Sequence, residues 1–235
     1  MHLIAEAGTD GAIVALWDPE ALPEGFDDRY RHESLELLEL LQSEGKLFWT
    51  ETGSDGAFLL HLFVDQAAPD HLAPYLQDPV EIPAFQVPGG TLWFAGAEYV
   101  YRVEGELLRA HPHMGTRMEL PAGVYRACFR RCEYPDDFIE DQVRSRLGND
   151  AYRFRDASGG LIAAATFVSL AGIIALIFSR FAPWSIGIIA VGALLWVAVA
   201  KLSRSDRYRE VGRRSEEIER EFPSMIAELR SPERT

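Results

Sequence analysis

Residues 6–14, EAGTDGAIV, and residues 51–59, ETGSDGAFL, repeat one pattern in register. An apolar segment follows the Asp-Gly pair in both copies, and Asp-Gly favours a tight hairpin turn because both residues tolerate positive φ. The copies lack the alternating acids of a calcium loop, and they lack the lysine and following helix of a phosphate loop. We therefore expect two strand–turn–strand hairpins, related by an internal duplication, rather than a binding loop used twice.

Two further stretches predict more strands. VPGGTLWFAGAEYVY at residues 87–101 and LPAGVYRACFRRCEY at residues 120–134 each open on an apolar residue, Pro, a small residue and Gly, followed by an aromatic-rich run. Pro cannot donate to a strand ladder, so it marks the turn before a strand or a sheet edge. Roughly eight strands joined by short turns predict an α+β, mainly β fold, in which two antiparallel sheets pack as a sandwich.

Helices are expected at four places outside the most apolar part of the chain. Residues 32–45 carry a leucine stripe that Gly45 ends, and residues 135–148 place aspartates early and arginines late, as the helix dipole favours. Residues 201–222 predict a basic helix, and a break near Pro223 precedes a short final helix over PSMIAELR.

Two uncharged apolar runs near the C-terminus are the strongest indication of structure in the sequence, because they have the length of membrane-spanning helices. Residues 161–178, LIAAATFVSLAGIIALIF, and 184–200, WSIGIIAVGALLWVAVA, contain 18 and 17 residues. About 20 apolar residues cross a bilayer, and 17 to 25 are tolerated. The five residues between the runs force an antiparallel hairpin. A two-helix transmembrane hairpin is therefore predicted over residues 160–200, and the alternative is a buried helical hairpin in a soluble protein.

Basic residues orient this hairpin. Four arginines lie between residues 144 and 155, six lysines or arginines lie between residues 201 and 214, and Arg180 alone lies at the tip. The positive-inside rule then places both termini in the cytoplasm. Aromatic and basic side chains at the two ends of the runs are the predicted membrane-interface residues: Phe178, Arg180, Phe181, Trp184, Trp196, Lys201 and Arg204.

The runs contain no Asp, Glu, Lys, Arg, His, Asn or Gln. Ion and proton pathways are usually marked by such residues, so the hairpin is interpreted as an anchor. Small residues line each helix, and small residues let helix backbones approach closely. They predict packing within the hairpin or a homo-oligomer, through Ala171, Ala175 and Ser179 on one helix and Gly187, Gly192 and Ala193 on the other.

Charge divides the chain in the same way. Residues 1–125 carry 21 Asp or Glu against 6 Lys or Arg, whereas residues 201–214 carry 6 basic residues against 2 acids. An acidic field repels phosphate backbones, so nucleic-acid binding is excluded for the front of the chain. It suits a basic protein partner, or serves solubility alone. Four segments are predicted: an acidic β-rich domain (1–134), a connecting helix and linker (135–159), the hairpin (160–200), and a basic helix and tail (201–235).

Histidines and aspartates offer the only candidate chemistry. A metal site or an acid–base pair could be assembled from His61, Asp65, His71, His111 and His113. No zinc-protease motif, nucleophile elbow or Walker loop accompanies them, and Cys128 and Cys132 have no second ligand pair at zinc spacing. No catalytic residue, metal or cofactor is therefore predicted, and surface or loop histidines are the preferred interpretation.

VPGGTLWF and LPAGVYRACFR resemble the strand-start motif of small bacterial β-sandwich domains of the competence-protein-J-like and polymorphic-toxin immunity type. The resemblance covers about residues 80–134, and such families have no membrane hairpin. It implies a bacterial protein that binds and blocks a toxin or nuclease and does not catalyse a reaction. No functional residue is carried over.

The sequence thus predicts a non-enzymatic, two-pass protein of the bacterial cytoplasmic membrane that binds a basic protein, of the immunity type in its most concrete form. Two other functions are compatible with it. One is a membrane-tethered metal-dependent hydrolase that uses the histidines named above. The other is a pore-forming or membrane-remodelling hairpin, which the lack of polar residues in the runs disfavours.

Overall fold

The computed structural model describes residues 1–32, 34–103, 106–178 and 183–232, without the side chains of residues 106–107 and 183–185. Residues 1–134 and 222–235 form one compact unit, here called the sheet unit, and residues 135–221 form a second, the helical unit. In the sheet unit the strands and helices are β1 (His2–Thr9), β2 (Ile13–Trp17), α1 (Phe26–Tyr30), α2 (Ser34–Ser43), β3 (Leu47–Glu51), β4 (Gly56–Val64), β5 (Leu76–Val87), β6 (Thr91–Gly96), α3 (Glu106–Ala110), β7 (Gly115–Glu119), β8 (Gly123–Cys132) and β9 (Met225–Arg230).

The strands form two sheets, as the α+β prediction requires. One has five strands in the order β1-β4-β9-β8-β5, and the other has four in the order β3-β2-β6-β7. All described pairings are antiparallel except the one between β4 and β9, which is parallel. The predicted helix at residues 32–45 is confirmed as α2, and Gly45, with φ of +70°, follows it.

Strand β2 shows why the two sheets stack. Its sequence IVALW is apolar throughout, and both of its faces are buried. Val14 and Leu16 point into the core between the sheets, whereas Ala15 and Trp17 point into a second core under the helices. Because apolar residues fill both faces, β2 needs packed layers on either side of its sheet. Its two edges are also paired, since it lies between β3 and β6.

The two repeated turns are not hairpins, and that prediction is wrong. Strand β1 pairs with β4 and places Thr9 opposite Gly56, whereas β2 pairs with β3 and places Ile13 opposite Glu51. Each repeated segment therefore crosses from one sheet to the other. The two crossings lie side by side, since the Thr52 N–H donates to the Ala12 carbonyl at 2.8 Å. Both edges of β2 are already occupied by β3 and β6, which leaves no place for β1 beside it.

The first crossing is held by a single carboxylate. Glu98 accepts hydrogen bonds from the Asp10 N–H at 2.8 Å and from the Thr9 hydroxyl at 3.2 Å. Thr9 is almost fully buried, and its oxygen in turn accepts from the Gly11 N–H at 3.1 Å. These polar groups satisfy one another, so the repeated Asp-Gly segment is a structural connection.

The C-terminal segment supplies the central strand of the larger sheet. Strand β9 lies between β4 and β8, although about ninety residues separate it from β8 along the chain. Ile226, Ala227 and Leu229 are completely buried. The final helix expected over PSMIAELR is therefore wrong: this segment is a strand of the sheet unit. Its composition favours a helix, but pairing on both sides and burial on both faces override that preference.

The helical unit contains α4 (Phe138–Leu147), α5 (Asn149–Phe178), α6 (Pro183–Ser203) and α7 (Asp206–Glu219). The predicted helices at residues 135–148 and after residue 201 are confirmed as α4 and α7. Helices α5 and α6 pack against each other as a hairpin. By length and composition, residues 149–178 and 186–203 are each able to cross a membrane.

Candidate functional site

The five residues considered for a metal site lie in separate places. His61 is buried on the outer face of β4, packed against the rings of His2 and Phe63, so the interpretation as a surface or loop histidine is wrong for this residue. His111 and His113 face each other edge to face in a turn beside β7, with ring centroids 6.1 Å apart. That turn contacts β1 near Gly8, through Met114, whereas His61 is opposite Ile4.

The remaining two candidates have other surroundings. Asp65 accepts hydrogen bonds from the backbone N–H and the hydroxyl of Ser231 at 2.7 and 2.8 Å, and these bonds lower the pKa of its carboxyl group. His71 is exposed on a short 3₁₀ turn. Across residues 1–32, 34–103, 106–178 and 183–232, no three His, Cys, Asp or Glu side chains are grouped closely enough to hold a metal ion.

The two cysteines are poor nucleophiles. Burial raises the pKa of Cys128 to about 11, and a hydrogen bond with Glu81 acts in the same direction. Burial also raises the pKa of Cys132 to about 11. The thiolate is the reactive form of cysteine, so both groups are almost entirely protonated and inert at neutral pH.

The apolar hairpin is closely packed along one line. A Cβ at Gly172 would lie 3.0 Å from the Ile189 side chain, and one at Gly192 would lie 2.8 Å from the Ser169 hydroxyl. The Trp196 indole N–H donates to the same Ser169 hydroxyl at 3.1 Å. Of the small residues predicted to mediate contacts, Gly192 thus serves packing within the hairpin. Gly172, which the sequence analysis did not name, also packs within the hairpin. Gly187 does not, since a Cβ there would meet open space.

The rest of the hairpin surface is apolar and exposed. Phe167 and Leu194 are 73% and 70% exposed, and Phe178 at the end of α5 is 83% exposed. Ser179, Arg180 and Phe181 lie outside the described residues, as does the side chain of Trp184. Trp196, predicted at the interface, already has a partner for its N–H inside the hairpin.

The other end of the hairpin carries cations. Lys201 and Arg204, the last two predicted interface residues, are exposed at the end of α6 and just beyond it. Neither side chain makes a hydrogen bond or an ion pair with the described part of the chain.

Below the hairpin, α4, the first turns of α5 and α7 form a charged collar. Arg155 of α5 forms an ion pair with Glu219 of α7 at 2.8 Å, and the Arg207 guanidinium lies 4.5 Å from the centre of the Phe154 ring. Residues 207 and 219 are about 18 Å apart along α7, yet both contact neighbouring residues of α5. Helix α7 therefore crosses α5 instead of running alongside it.

Comparison with known proteins gives little. No family model matches the chain, and no curated protein sequence matches it. A solved structure titled "Crocagin biosynthetic gene J" is similar over 56% of this chain and 75% of its own, with 14% identity and a TM-score of 0.34. A likeness of that size supports no argument about function.

Proposed function

We propose that this chain is a membrane-anchored, non-enzymatic module that binds another protein. The observation that carries the proposal is the hairpin of α5 and α6, whose large apolar side chains are exposed along both helices. Only 11% and 6% of the most apolar windows of the two helices are buried, whereas the core helix of a soluble protein would be mostly buried. Exposed apolar patches of more than a few hundred Å² mark sites that lipid or protein covers. A bilayer covers such a hairpin on all sides.

The sheet topology supports a two-pass arrangement. Strand β8 precedes the hairpin and strand β9 follows it, and they pair in one sheet. A chain cannot complete that sheet unless it enters and leaves the membrane on the same side, which requires an even number of crossings. Together with the basic residues around the hairpin, this favours both termini in the cytoplasm of a bacterial cell.

The sheet unit is the binding part in this proposal. Residues 18–44, which contain α1 and α2, carry nine Asp or Glu and two Arg. Glu24, Glu36 and Glu39 are exposed there and have no hydrogen bond or ion pair with described residues. A field of this sign attracts and steers a basic protein. In its most concrete form the chain is an immunity-type protein that holds a basic toxin at the membrane.

Catalysis is not proposed. The raised pKa values of Cys128 and Cys132 disfavour thiol chemistry. The candidate metal ligands are dispersed over the sheet unit, so they do not support the hydrolase alternative. The absence of charged or amide side chains in the two runs disfavours a pore.

Anchoring is tested by membrane extraction. The full chain is expected to stay in the membrane pellet after alkaline carbonate washing and to dissolve in detergent. A variant with residues 135–221 replaced by a short Gly/Ser linker is the matched control and should be soluble. Release of the full chain by carbonate would overturn the anchor.

Binding is tested with that soluble variant as bait for proteins of the native host. A partner is expected to bind at low salt, to dissociate as screening increases, and to be lost when Glu24, Glu36 and Glu39 are changed to Lys. Charge reversal at three other exposed acids, Glu51, Asp55 and Glu133, alters net charge equally and should preserve binding. Equal loss in both variants, or no salt-sensitive partner, would contradict a binding role for the acidic residues 18–44.

A further inference from the structure

The helical unit contains an open cleft of about 740 Å³ between α4, the beginning of α5 and α7. Glycines give it room: a Cβ added at Gly159, Gly160 or Gly212 would meet nothing within 4 Å. All three are helical and therefore accept a side chain without backbone strain. A volume of this size accommodates a headgroup with part of an acyl chain.

Apolar residues line the cleft from all three helices. Val143 and Val211 line it from α4 and α7, and Gly160 and Ile162 line it from α5 at the end nearest the uncharged run. Gly160 directly precedes Leu161, the first residue of the uncharged run. In an anchored chain this part of the cleft therefore lies where the hydrocarbon core meets the headgroups.

The cleft is acidic away from the hairpin. Four carboxylates line it and one guanidinium does, Arg155. Two of the carboxylates already have partners: Tyr152 donates to Glu140, and both Arg155 and the Ser215 hydroxyl donate to Glu219. The other two, Asp156 and Glu216, make no hydrogen bond or ion pair with described residues. Their negative charge is left for a cation.

The distance along α5 between the acidic and the apolar lining, together with the negative charge of the cleft, indicates which ligand fits. Asp156 precedes Ile162 by six residues, which is about 9 Å along a helix and close to the length of a phospholipid headgroup. We propose that the cleft binds one membrane phospholipid with a primary ammonium headgroup. The ammonium lies between Asp156 and Glu216, and one acyl chain leaves past Gly160 and Ile162 into the bilayer. This inference rests on the proposed membrane anchoring and adds a lipid preference to it.

Native mass spectrometry of the full chain tests the site. The chain is purified in mild detergent and offered phosphatidylethanolamine and phosphatidylglycerol with the same acyl chains. One phosphatidylethanolamine is expected to be retained, in preference to phosphatidylglycerol. The double variant Asp156→Asn, Glu216→Gln removes both charge-assisted contacts and should lower that retention at least about tenfold. Equal retention of both lipids, or no change in the double variant, would overturn the site.

A cleft-filling variant separates binding from folding. Gly212→Leu places a side chain in the cleft and replaces glycine with a better helix former, so it should raise thermal stability while it abolishes lipid retention. Gly187→Leu makes the same change on an open part of α6, outside the cleft, and should retain the lipid. Retention by Gly212→Leu would contradict the cleft as the site.

Carbonate extraction of the same variants separates the two proposals. If the unmodified chain stays in the membrane but retains no phosphatidylethanolamine, only the lipid site is wrong. If the unmodified chain is released, the anchor and the lipid site are both wrong.

Discussion

The Tyr134 hydroxyl donates a hydrogen bond to the Pro223 carbonyl oxygen at 3.2 Å. The ring of Tyr134 also meets the ring of Phe222 nearly at right angles, with centroids 5.8 Å apart. Residues 135–221 therefore leave and rejoin the sheet unit at adjacent points, and the helical unit is an insertion between two strands of one sheet.

Replacing residues 135–221 with a linker of about six residues should yield a soluble, folded sheet unit. Such a linker spans up to ~20 Å, which is ample for ends whose side chains touch. Size-exclusion chromatography and circular dichroism measure the outcome, and a single cooperative urea transition is expected. Residues 1–134 alone are the control. They lack the central strand and should aggregate or remain unfolded; a well-folded 1–134 fragment would show that β9 is dispensable.

The contribution of β9 is measured in that soluble variant. Leu229 is completely buried in the core between the sheets, so Leu229→Ala should lower the free energy of unfolding by about 2–5 kcal/mol. Leu35→Ala, on the exposed side of α2, should change it by less than about 0.5 kcal/mol. Urea midpoints provide the comparison, and equal effects of the two changes would contradict the central position of β9.

Helices could be predicted correctly where the residues of the helix themselves carry a clear pattern. Uncharged runs gave α5 and α6, and the leucine stripe of residues 35–41 gave α2. The sequence was not sufficient where the choice depends on distant partners. Asp-Gly fits a hairpin and a crossing between sheets equally well. The crossing is adopted because β3 and β6 already occupy both edges of β2. Met225–Arg230 consists largely of good helix formers, and only the open place between β4 and β8 makes it a strand.

The candidate functional residues also fall into those that their own sequence indicates and those that depend on distant parts of the chain. Phe178, Lys201 and Arg204 could be named as candidate interface residues because they flank recognisable runs, and all three are exposed. The cleft could not be predicted, since α4, α5 and α7 bring its lining together from residues 139 to 219. Gly159, Gly160 and Gly212 leave room for the cleft, but Gly187 is an equally open helical glycine outside it, so glycines alone do not mark the site in the sequence.

Hairpin packing should fail selectively at Gly192. A Cβ there would lie 3.3 Å from the Ser169 Cα, so Gly192→Val forces the helices apart, whereas Gly187→Val meets open space. Thermal unfolding in detergent should show a lower midpoint for Gly192→Val than for Gly187→Val. Equal midpoints would mean that the helices do not pack along this line.

Asp65 should make stability depend on acid pH. Its pKa is lowered in the folded state by the Ser231 hydrogen bonds, so its contribution is fully present above the unfolded carboxyl pKa of about 3.9. That contribution is lost as the pH falls through the lower folded pKa. Asp65→Asn keeps a residue that tolerates the observed φ of +54°. The variant should be less stable than the unmodified protein at pH 7, and the difference should shrink toward pH 2; a constant difference would contradict the linkage.

The cysteines should react slowly while the sheet unit is folded. With a pKa of about 11, the Cys128 and Cys132 thiols are each only ~0.1% ionised at pH 8, whereas an ordinary cysteine is ionised to roughly a quarter. Alkylation by iodoacetamide at pH 8 should therefore be about 100-fold slower in the native protein than in urea, because the thiolate is the nucleophile. Raising the pH from 8 to 9 should speed the native reaction nearly tenfold, since both groups titrate well above that range. A native rate that levels off near pH 9 would show that the thiols ionise normally, and would reopen them as candidate nucleophiles.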